Sequence, residues 1–340
     1  MDENEIIETT TVRGYKSVCA RLGLIMCIFY ISRIVGGLIA DSTVGLIDKI
    51  GYQVTYALHV VLSVIFSYII PILMTMIAFE TFSNFKGELR ILYKKPKRLA
   101  RALGSFPAMY GFGYGIALLT LLVSFLITKV SGGQTFVEEL FRPNTLEPTS
   151  DIASALTMVF LLVVIAPVFE EFLVRGIMYN ALKPYGCGMA IIISSILFGL
   201  MHGRLSMLFY TTALGFALGY IRYATNSLFV TTILHAIINA FGAGMLLLSS
   251  LTEISGGEHK LINTIYGIYI IAVMILIVVG IIAFIKKIPV IRKYKINNEW
   301  TIIGPGKKTA LFFLSIPVII MLVFAFNEHT NNWLLGLLIN

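Results

Sequence analysis

The sequence has few charged residues for its length. Only 13% of its 340 residues are Asp, Glu, Lys or Arg, whereas 57% are hydrophobic. A soluble domain carries roughly twice that charged fraction, about 25%. The apolar residues also occur in runs close to the ~20 residues that a helix needs to cross a bilayer. The composition excludes an ordinary soluble protein and predicts an all-α, polytopic transmembrane helix bundle.

Cysteines are also scarce, and the chain begins without the features of a cleavable secretion signal. The three cysteines, Cys19, Cys27 and Cys187, lie in or beside apolar segments and lack metal-ligand spacing. We therefore expect neither a disulfide framework nor a cysteine metal site. The first residues, MDENEIIETTTVRGYK, are acidic and then weakly basic, unlike the basic start of a signal peptide. We expect the first apolar helix to remain as an anchor.

Apolar runs separated by polar loops predict about eight or nine membrane crossings. Two of the nine candidate spans are short, and MHGR between them has the composition of a tight turn. The candidate spans are residues 22–40, 55–80, 104–129, 153–181, 187–202, 206–223, 227–250, 262–285 and 309–327.

Basic residues predict the orientation of the bundle. Two loops hold fourteen of them, and alternating crossings place both loops on the same side as the N-terminus, which makes that side cytoplasmic. We expect a multi-pass protein of a bacterial cell membrane, with anionic lipid as a partner of the basic loops and no role for nucleic acid. The fourteen residues are Lys86, Arg90, Lys94, Lys95, Lys97, Arg98, Arg101, Lys286, Lys287, Arg292, Lys293, Lys295, Lys307 and Lys308.

Charged residues inside the spans are costly and mark candidate functional positions. They concentrate in PVFEEFLVRG, where Glu171 and Arg175 have the i, i+4 spacing of a helical ion pair and Glu170 points about 100° away from Glu171. Arg33 is a further exception, and we interpret it as snorkelling or paired. One carboxylate of the adjacent pair can thus be neutralised locally while the other serves a different purpose.

Two histidines on neighbouring spans complete a polar set. His202 closes FGLMH, and His235 opens HAIIN with Asn239 one turn later on the same face. At 1.5 Å per residue, Glu170 lies ~18 Å from the cytoplasmic end of its span, His235 ~12 Å, Asn239 ~18 Å and His202 ~22 Å. Helices that run in alternating directions therefore present these four groups at similar depth.

The chemistry of this set suits hydrolysis of an amide. A glutamate beside a histidine can deprotonate water, and a second histidine and an amide can donate hydrogen bonds to an oxyanion. HAIIN is not HExxH, so the usual zinc-peptidase helix is missing. Glu170, His202 and His235 could alternatively form a two-histidine, one-carboxylate metal site. We expect no cofactor in the first case.

The motifs EEFLVRG, FGLMH and HAIIN, in this order on separate spans, resemble those of the CAAX-protease and bacteriocin-processing (Abi) family, which is similar to the Ras-converting enzyme. The resemblance covers about residues 150–250. It implies an intramembrane glutamic endopeptidase in which Glu170 activates water with help from His202. It also implies that His235 and Asn239 bind the oxyanion, with structural support as the role of the remaining motif residues, Glu171, Arg175 and Phe198.

The resemblance divides the chain into three regions. Residues 1–150 form an N-terminal membrane segment of unknown role with about three spans, 151–250 a peptidase-like helical core, and 251–340 the C-terminal spans and a basic loop. The implied substrate is a peptide or membrane protein in the bilayer. Two alternatives are a non-catalytic bacteriocin-immunity or regulatory protein that retains the fold, and a transporter, although the paired repeats of transporters are not found.

Overall fold

The structure is a computed structural model that describes residues 3–44, 51–78, 93–94, 96, 99–130, 148–149, 151–293 and 303–329. Within these residues all regular structure is helical and no strand occurs, so the predicted all-α bundle is confirmed. Apolar side chains cover much of the surface, and Leu38, Ile271 and Ile316 each expose 60% or more of their area. Such a surface suits contact with lipid rather than water.

Ten helices, numbered here in chain order, form the bundle. Two of them contain π-helical turns, in which the backbone bonds run from residue i to i+5. The helices are α1 (Glu3–Val44), α2 (Tyr52–Val64, the π turn Ile65–Ile69, Ile70–Ala78), α3 (Leu99–Leu103 and Phe106–Val130), α4 (Ile152–Phe160, the π turn Leu161–Ile165, Ala166–Glu171, the π turn Phe172–Met178, Tyr179–Leu182, Lys183–Tyr185), α5 (Cys187–Leu200), α6 (Leu205–Thr225), α7 (Leu228–Ile254), α8 (Lys260–Lys293), α9 (Pro305–Phe313) and α10 (Ile316–His329).

Each predicted span falls on one of these helices, but fewer of them are long and apolar enough to cross a membrane. Within the described residues, α1, α2, α3, α4, α7 and α8 qualify, and α9 with α10, bent by 67°, would make a seventh. The 14-residue α5 is apolar but short. The two short predicted spans, α5 and α6, are therefore not among the helices that qualify, and the number of qualifying spans is below the eight or nine expected.

Close backbone contacts hold the bundle together where the sequence has paired glycines. A Cβ atom at Gly111 in α3 would overlap the backbone of Gly280 in α8, and one at Gly215 in α6 would lie 3.1 Å from the Cα of Ser195 in α5. Small residues allow helices to approach this closely in membranes. GFGYG and GFALG are therefore sites of close helix packing.

The turn between α5 and α6 differs in detail from its prediction. Helix α5 ends at Leu200, so His202 lies in the following turn rather than in the helix. Gly203 has a φ of 66°, a conformation that glycine adopts without steric cost. The tight turn at MHGR is confirmed. Glu80 and most of the basic segment 86–101 lie outside the described residues.

Candidate active site

Glu170 lies near the middle of α4, on a short α-helical stretch between two π turns. The stretch Ala166–Glu171 follows the turn Leu161–Ile165 and precedes the turn Phe172–Met178. A π turn inserts one extra residue and so rotates the side chains that follow it relative to a regular helix. The first of these turns therefore helps to set the directions in which Glu170 and Glu171 point.

The carboxylate of Glu170 faces both predicted histidines. Its Oε2 atom lies 3.8 Å from Nε2 of His235 and 4.0 Å from Nε2 of His202. The same oxygen is buried and has no hydrogen-bond partner within the described part of the chain. Helices α4 and α7 and the turn after α5 thus bring three of the four predicted catalytic side chains together.

The second ring nitrogen of each histidine has a partner that fixes its proton. Nδ1 of His202 lies 2.8 Å from the carbonyl oxygen of Phe198. Nδ1 of His235 lies 3.1 Å from Oε1 of Glu171. A carbonyl and an ionised carboxylate only accept hydrogen bonds, so we infer that both Nδ1 atoms are protonated. The Nε2 atoms that face Glu170 are then free to accept a proton or, once protonated, to donate one.

Glu171 is held in a buried cluster beside the site. Its Oε1 accepts from Arg175 at 2.8 Å, and the side chains of both residues are fully buried. Arg175 also donates to the carbonyl of Gly215 at 2.9 Å and lies 4.3 Å from the centre of the Phe198 ring. The edge-to-face contacts of the Phe198 ring with His202 and His235 have ring centroids 4.9 and 5.5 Å apart. Arg175 and Phe198, both assigned to structural support, therefore contact Glu171 or the histidines rather than Glu170.

Asn239 makes a contact that its spacing in the sequence did not indicate. Its Nδ2 atom donates to the carbonyl of Leu162 at 2.9 Å. In the π turn the N–H of Ala166 donates to the carbonyl of Leu161, five residues earlier. By the same i to i+5 pattern, the carbonyl of Leu162 would accept from the N–H of residue 167. Pro167 has no N–H, so Asn239 supplies the donor that the helix lacks. Asn239 lines the same cavity as Glu170. The bond to Leu162 uses one of its two amide N–H groups.

Tyr68 is a site residue that the sequence analysis missed. Its hydroxyl donates to Oε1 of Glu170 at 3.3 Å, and its ring stacks on Phe169 with centroids 5.6 Å apart. It lies in the π turn of α2. A single tyrosine in an apolar span carries no signal of its own, because tyrosine is common in membrane helices and its partner lies 102 residues away.

The end of α5 is held by two side chains of α1, in contacts that the sequence did not indicate. Tyr30 donates its hydroxyl proton to the carbonyl of Leu200 at 2.8 Å, and Arg33 donates to that of Met201 at 2.8 Å. The last carbonyls of a helix have no partner within it and need donors from elsewhere, especially within a membrane. Arg33 was noted as a charge in a span. Its bond to Met201 supports the paired interpretation, and it fixes the residue next to His202.

A cavity of about 840 Å³ opens onto Glu170, His202 and Asn239. Its wall is largely apolar and aromatic, with hydroxyl groups along α2. Besides the three site residues, it is lined by side chains from α1, α2, α3, α4, α6 and α7, including Arg33, His59, Ser63, Ser67, Tyr114 and Met158. A volume of this size is typical of small-ligand and peptide sites, whose volumes are roughly 300–1,000 Å³.

The distances between Glu170, His202 and His235 can be compared with those of a two-histidine, one-carboxylate zinc site. Tetrahedral zinc with bonds of about 2.0–2.1 Å brings its ligand atoms to roughly 3.4 Å from one another. The Glu170 oxygen is 3.8 and 4.0 Å from the two histidine nitrogens, so a zinc site would require them to move closer. No cluster of three or more His, Cys, Asp or Glu in the described residues is arranged to hold a metal ion. At these distances the Glu170 oxygen makes no direct hydrogen bond to either histidine nitrogen.

Comparison with known proteins places this site in a family context. A Bacillus subtilis (strain 168) protein, "Putative membrane peptidase YdiL", is 28% identical over 137 residues, which is 37% of this chain and 55% of the relative. An uncharacterized protein of Mycoplasma capricolum subsp. capricolum (strain California kid) is 26% identical over 132 residues, 38% of each chain. The chain therefore matches about half or less of the length of these relatives. No solved structure matches it.

The family match falls on the segment that carries the predicted catalytic residues. Glu170, His202, His235 and Asn239 all lie within residues 152–241, whereas Tyr30, Arg33 and Tyr68 lie outside them. Residues 152–241 match the model of the type II CAAX prenyl endopeptidase Rce1-like family, which confirms for this segment the resemblance predicted from the three motifs.

Proposed function

We propose that this protein is an intramembrane endopeptidase that hydrolyses a peptide bond of a membrane-associated protein or peptide through a water activated by Glu170. The observation that carries the proposal is the position of Glu170 Oε2. It is buried, faces Nε2 of both histidines at 3.8 and 4.0 Å, and borders a cavity of about 840 Å³. The Bacillus subtilis relative, a putative membrane peptidase, and the match to a protease family support the same function.

In the proposed reaction, Glu170 takes a proton from the water as the oxygen attacks the carbonyl carbon of the scissile peptide bond. The carbonyl π electrons move to its oxygen, which becomes the oxyanion of a tetrahedral intermediate. The intermediate then collapses, the C–N bond breaks, and the proton held by Glu170 passes to the leaving amine. Positioned acid–base groups of this kind contribute typically 10²–10⁴-fold in rate.

The histidines have distinct proposed roles because their Nδ1 partners differ. His202, whose Nδ1 faces a neutral carbonyl, orients the water through an accepting Nε2. His235, whose Nδ1 donates to the Glu171 carboxylate, is proposed to donate to the oxyanion from a protonated Nε2, and Asn239 to add its second amide N–H.

The test is digestion of a peptide library by the purified protein in detergent. Glu170→Gln keeps the shape of the side chain but removes the base, so cleavage is expected to fall by at least ~10²-fold. Glu258→Gln, the same substitution at an exposed position after α7, is the matched control and should cleave normally. Cleavage by Glu170→Gln at the unmodified rate refutes the proposed base. A folded protein that cleaves no peptide favours a non-catalytic immunity or regulatory role.

A further inference from the structure

The two ends of the helix bundle can be told apart by contacts between segments distant in sequence. Four such contacts hold together the end that carries both basic loops and the start of α1. They are Ser227 Oγ to the carbonyl of Lys94 (2.7 Å), Arg222 over the ring of Tyr179 (5.8 Å), Lys308 Nζ to the carbonyl of Tyr185, and the Tyr15 hydroxyl to the carbonyl of Lys308 (3.2 Å). This end is called the basic end below.

Two other contacts define the opposite end. The Tyr56 hydroxyl donates to the carbonyl of Ser154 at 3.3 Å, which ties the start of α2 to the start of α4. The Thr149 N–H donates to Ser250 Oγ at 2.9 Å, which ties the segment before α4 to the last turns of α7. In the sequence, the segments that connect α1 to α2, α3 to α4 and α7 to α8 hold more acidic than basic residues, with Asp48, Glu138, Glu139, Glu147, Asp151 and Glu258 against Lys49 and Arg142.

The cavity extends from Glu170 toward this opposite end along four of the helices that line it, α2, α3, α4 and α7. On α2 its lining runs from Tyr68 back to Tyr56, and on α4 from Glu170 back to Met158. On helices that run the other way the lining continues forward, on α3 from residue 114 to 121 and on α7 from residue 238 to 243. At 1.5 Å per residue, the twelve residues from Tyr68 to Tyr56 span ~18 Å.

Toward the basic end the site is closed by its own supporting cluster. Glu171, Arg175 and Val174 are fully buried, and Phe198 and His235 expose only 2% and 4% of their areas. These side chains form a packed layer directly beneath the reacting groups. Within the described residues, a substrate can therefore reach Glu170 through the cavity but not through this layer.

Combining this closure with the charge distribution, we infer that the substrate reaches Glu170 from the extracytoplasmic face of the membrane. Basic loops are retained on the cytoplasmic side, so the basic end is cytoplasmic and the cavity opens away from it. The substrate class follows: an exported peptide, or the extracytoplasmic segment of a membrane protein, rather than a cytoplasmic chain. The cleavage itself rests on the proposed function, but the direction of access does not.

Thiol labelling tests the direction of access without reference to activity. In a variant whose three native cysteines are replaced by alanine, Ser63→Cys and Ser67→Cys each place a thiol of nearly unchanged size on the cavity wall. A membrane-impermeant, charged thiol reagent added to intact cells should modify both. Lys94→Cys, exposed at the basic end, is the control and should react only after the cells are permeabilised.

Each other labelling pattern overturns the inference. Cavity cysteines that react only after permeabilisation mean that the cavity opens to the cytoplasm, as does reaction of Lys94→Cys in intact cells. Cavity cysteines that never react mean that the cavity is not open to water at all. Either result would move the substrate to the other side of the membrane or into the lipid phase.

A second experiment tests whether the substrate reaches Glu170 through the labelled cavity. Modification of Ser67→Cys from outside intact cells should abolish cleavage of an added peptide taken from the library digestion, whereas reagent should leave the Lys94→Cys variant active. Cleavage that continues after complete modification of Ser67→Cys overturns the route through the cavity. If the purified protein cleaves no peptide but both cavity cysteines are labelled from outside, the proposed function fails and the direction of access stands.

Discussion

The Asn239 amide has two proposed roles: it donates to the carbonyl of Leu162, and it binds the oxyanion. Replacing Asn239 gives the most informative prediction. Asn239→Ala leaves the carbonyl of Leu162 without a donor, since Pro167 cannot supply one. An unsatisfied carbonyl costs about 1–3 kcal/mol, and hydrogen bonds between membrane helices average about 0.6 kcal/mol by double-mutant cycles. The expected loss of stability is thus about 1 kcal/mol.

The loss of an oxyanion donor is larger and appears in a different quantity. Removing one such donor costs about 2.7–4 kcal/mol in the transition state, or 10²–10³-fold in kcat. We therefore predict that Asn239→Ala lowers kcat by that factor while the apparent affinity for substrate changes little. If Asn239→Ala only lowers the stability of the fold, the decrease in kcat should be small when the protein is assayed well below its melting temperature.

A second substitution tells these two effects apart. Pro167→Ala restores a backbone N–H that can pair with Leu162, so the double variant with Asn239→Ala should recover the melting temperature. If Asn239 binds the oxyanion, kcat stays low in the double variant, and this is the outcome that we expect. Recovery of kcat together with stability would refute the reasoning and make Asn239 a purely structural residue. Pro167→Ala alone is the control and should retain activity.

Three further predictions concern the groups around Glu170. Arg175→Ala should lower the melting temperature in detergent, because it removes the cation that pairs with the buried Glu171 carboxylate, at a cost of about 3–5 kcal/mol. Glu170→Ala should not lower it, and a melting temperature for Glu170→Ala below that of Arg175→Ala would reverse the two roles. Tyr68→Phe keeps the stacking on Phe169 but removes the bond to Glu170, so kcat should fall about 10-fold, as for the loss of a hydrogen bond of about 1.5 kcal/mol to a charged group; an unchanged kcat would argue against a role for this contact. The active protein should contain no stoichiometric metal and survive strong chelators, and loss of activity on chelation with recovery on adding zinc would overturn the metal-free mechanism.

The sequence predicts best what depends on spacing within one helix. Glu171 and Arg175 are four residues apart and form the expected pair at 2.8 Å. The glycine pairs mark close packing because only the absence of a Cβ permits it. Matching depths across helices also brought together the carboxylate and both histidines, since depth in a membrane helix follows from counting residues at a fixed rise.

Contacts that depend on how helices rotate against each other could not be predicted. Tyr68 meets Glu170 across 102 residues of sequence, and Asn239 meets Leu162 across 77. Both contacts involve π turns, which shift the facing side chains by one residue and leave no pattern in the sequence. The depth calculation also placed His202 inside a helix, although the chain has already turned by that residue.

These π turns connect the position of Glu170 to residues outside the family match. The described part of the chain contains three of them, one in α2 at Tyr68 and two in α4 on either side of Glu170. In two of them a neighbouring helix supplies a donor to a carbonyl of the turn: Ser32 of α1 donates to Phe66, and Asn239 of α7 donates to Leu162. Tyr68 holds one oxygen of Glu170 and leaves the other facing the histidines.

Helix α1 also supports the site, through hydrogen bonds to the end of α5. Helix α5 stops within the bundle at Leu200, and its last carbonyls would lack donors in a membrane without Tyr30 and Arg33. Those two bonds fix the turn that presents His202 to Glu170. The segment 152–241 therefore contains the groups proposed to carry out the reaction, but α1 and α2 hold two of them in place. Glu170 and His202 depend on the N-terminal helices for their geometry, which gives the region before residue 150 a physical role in the site.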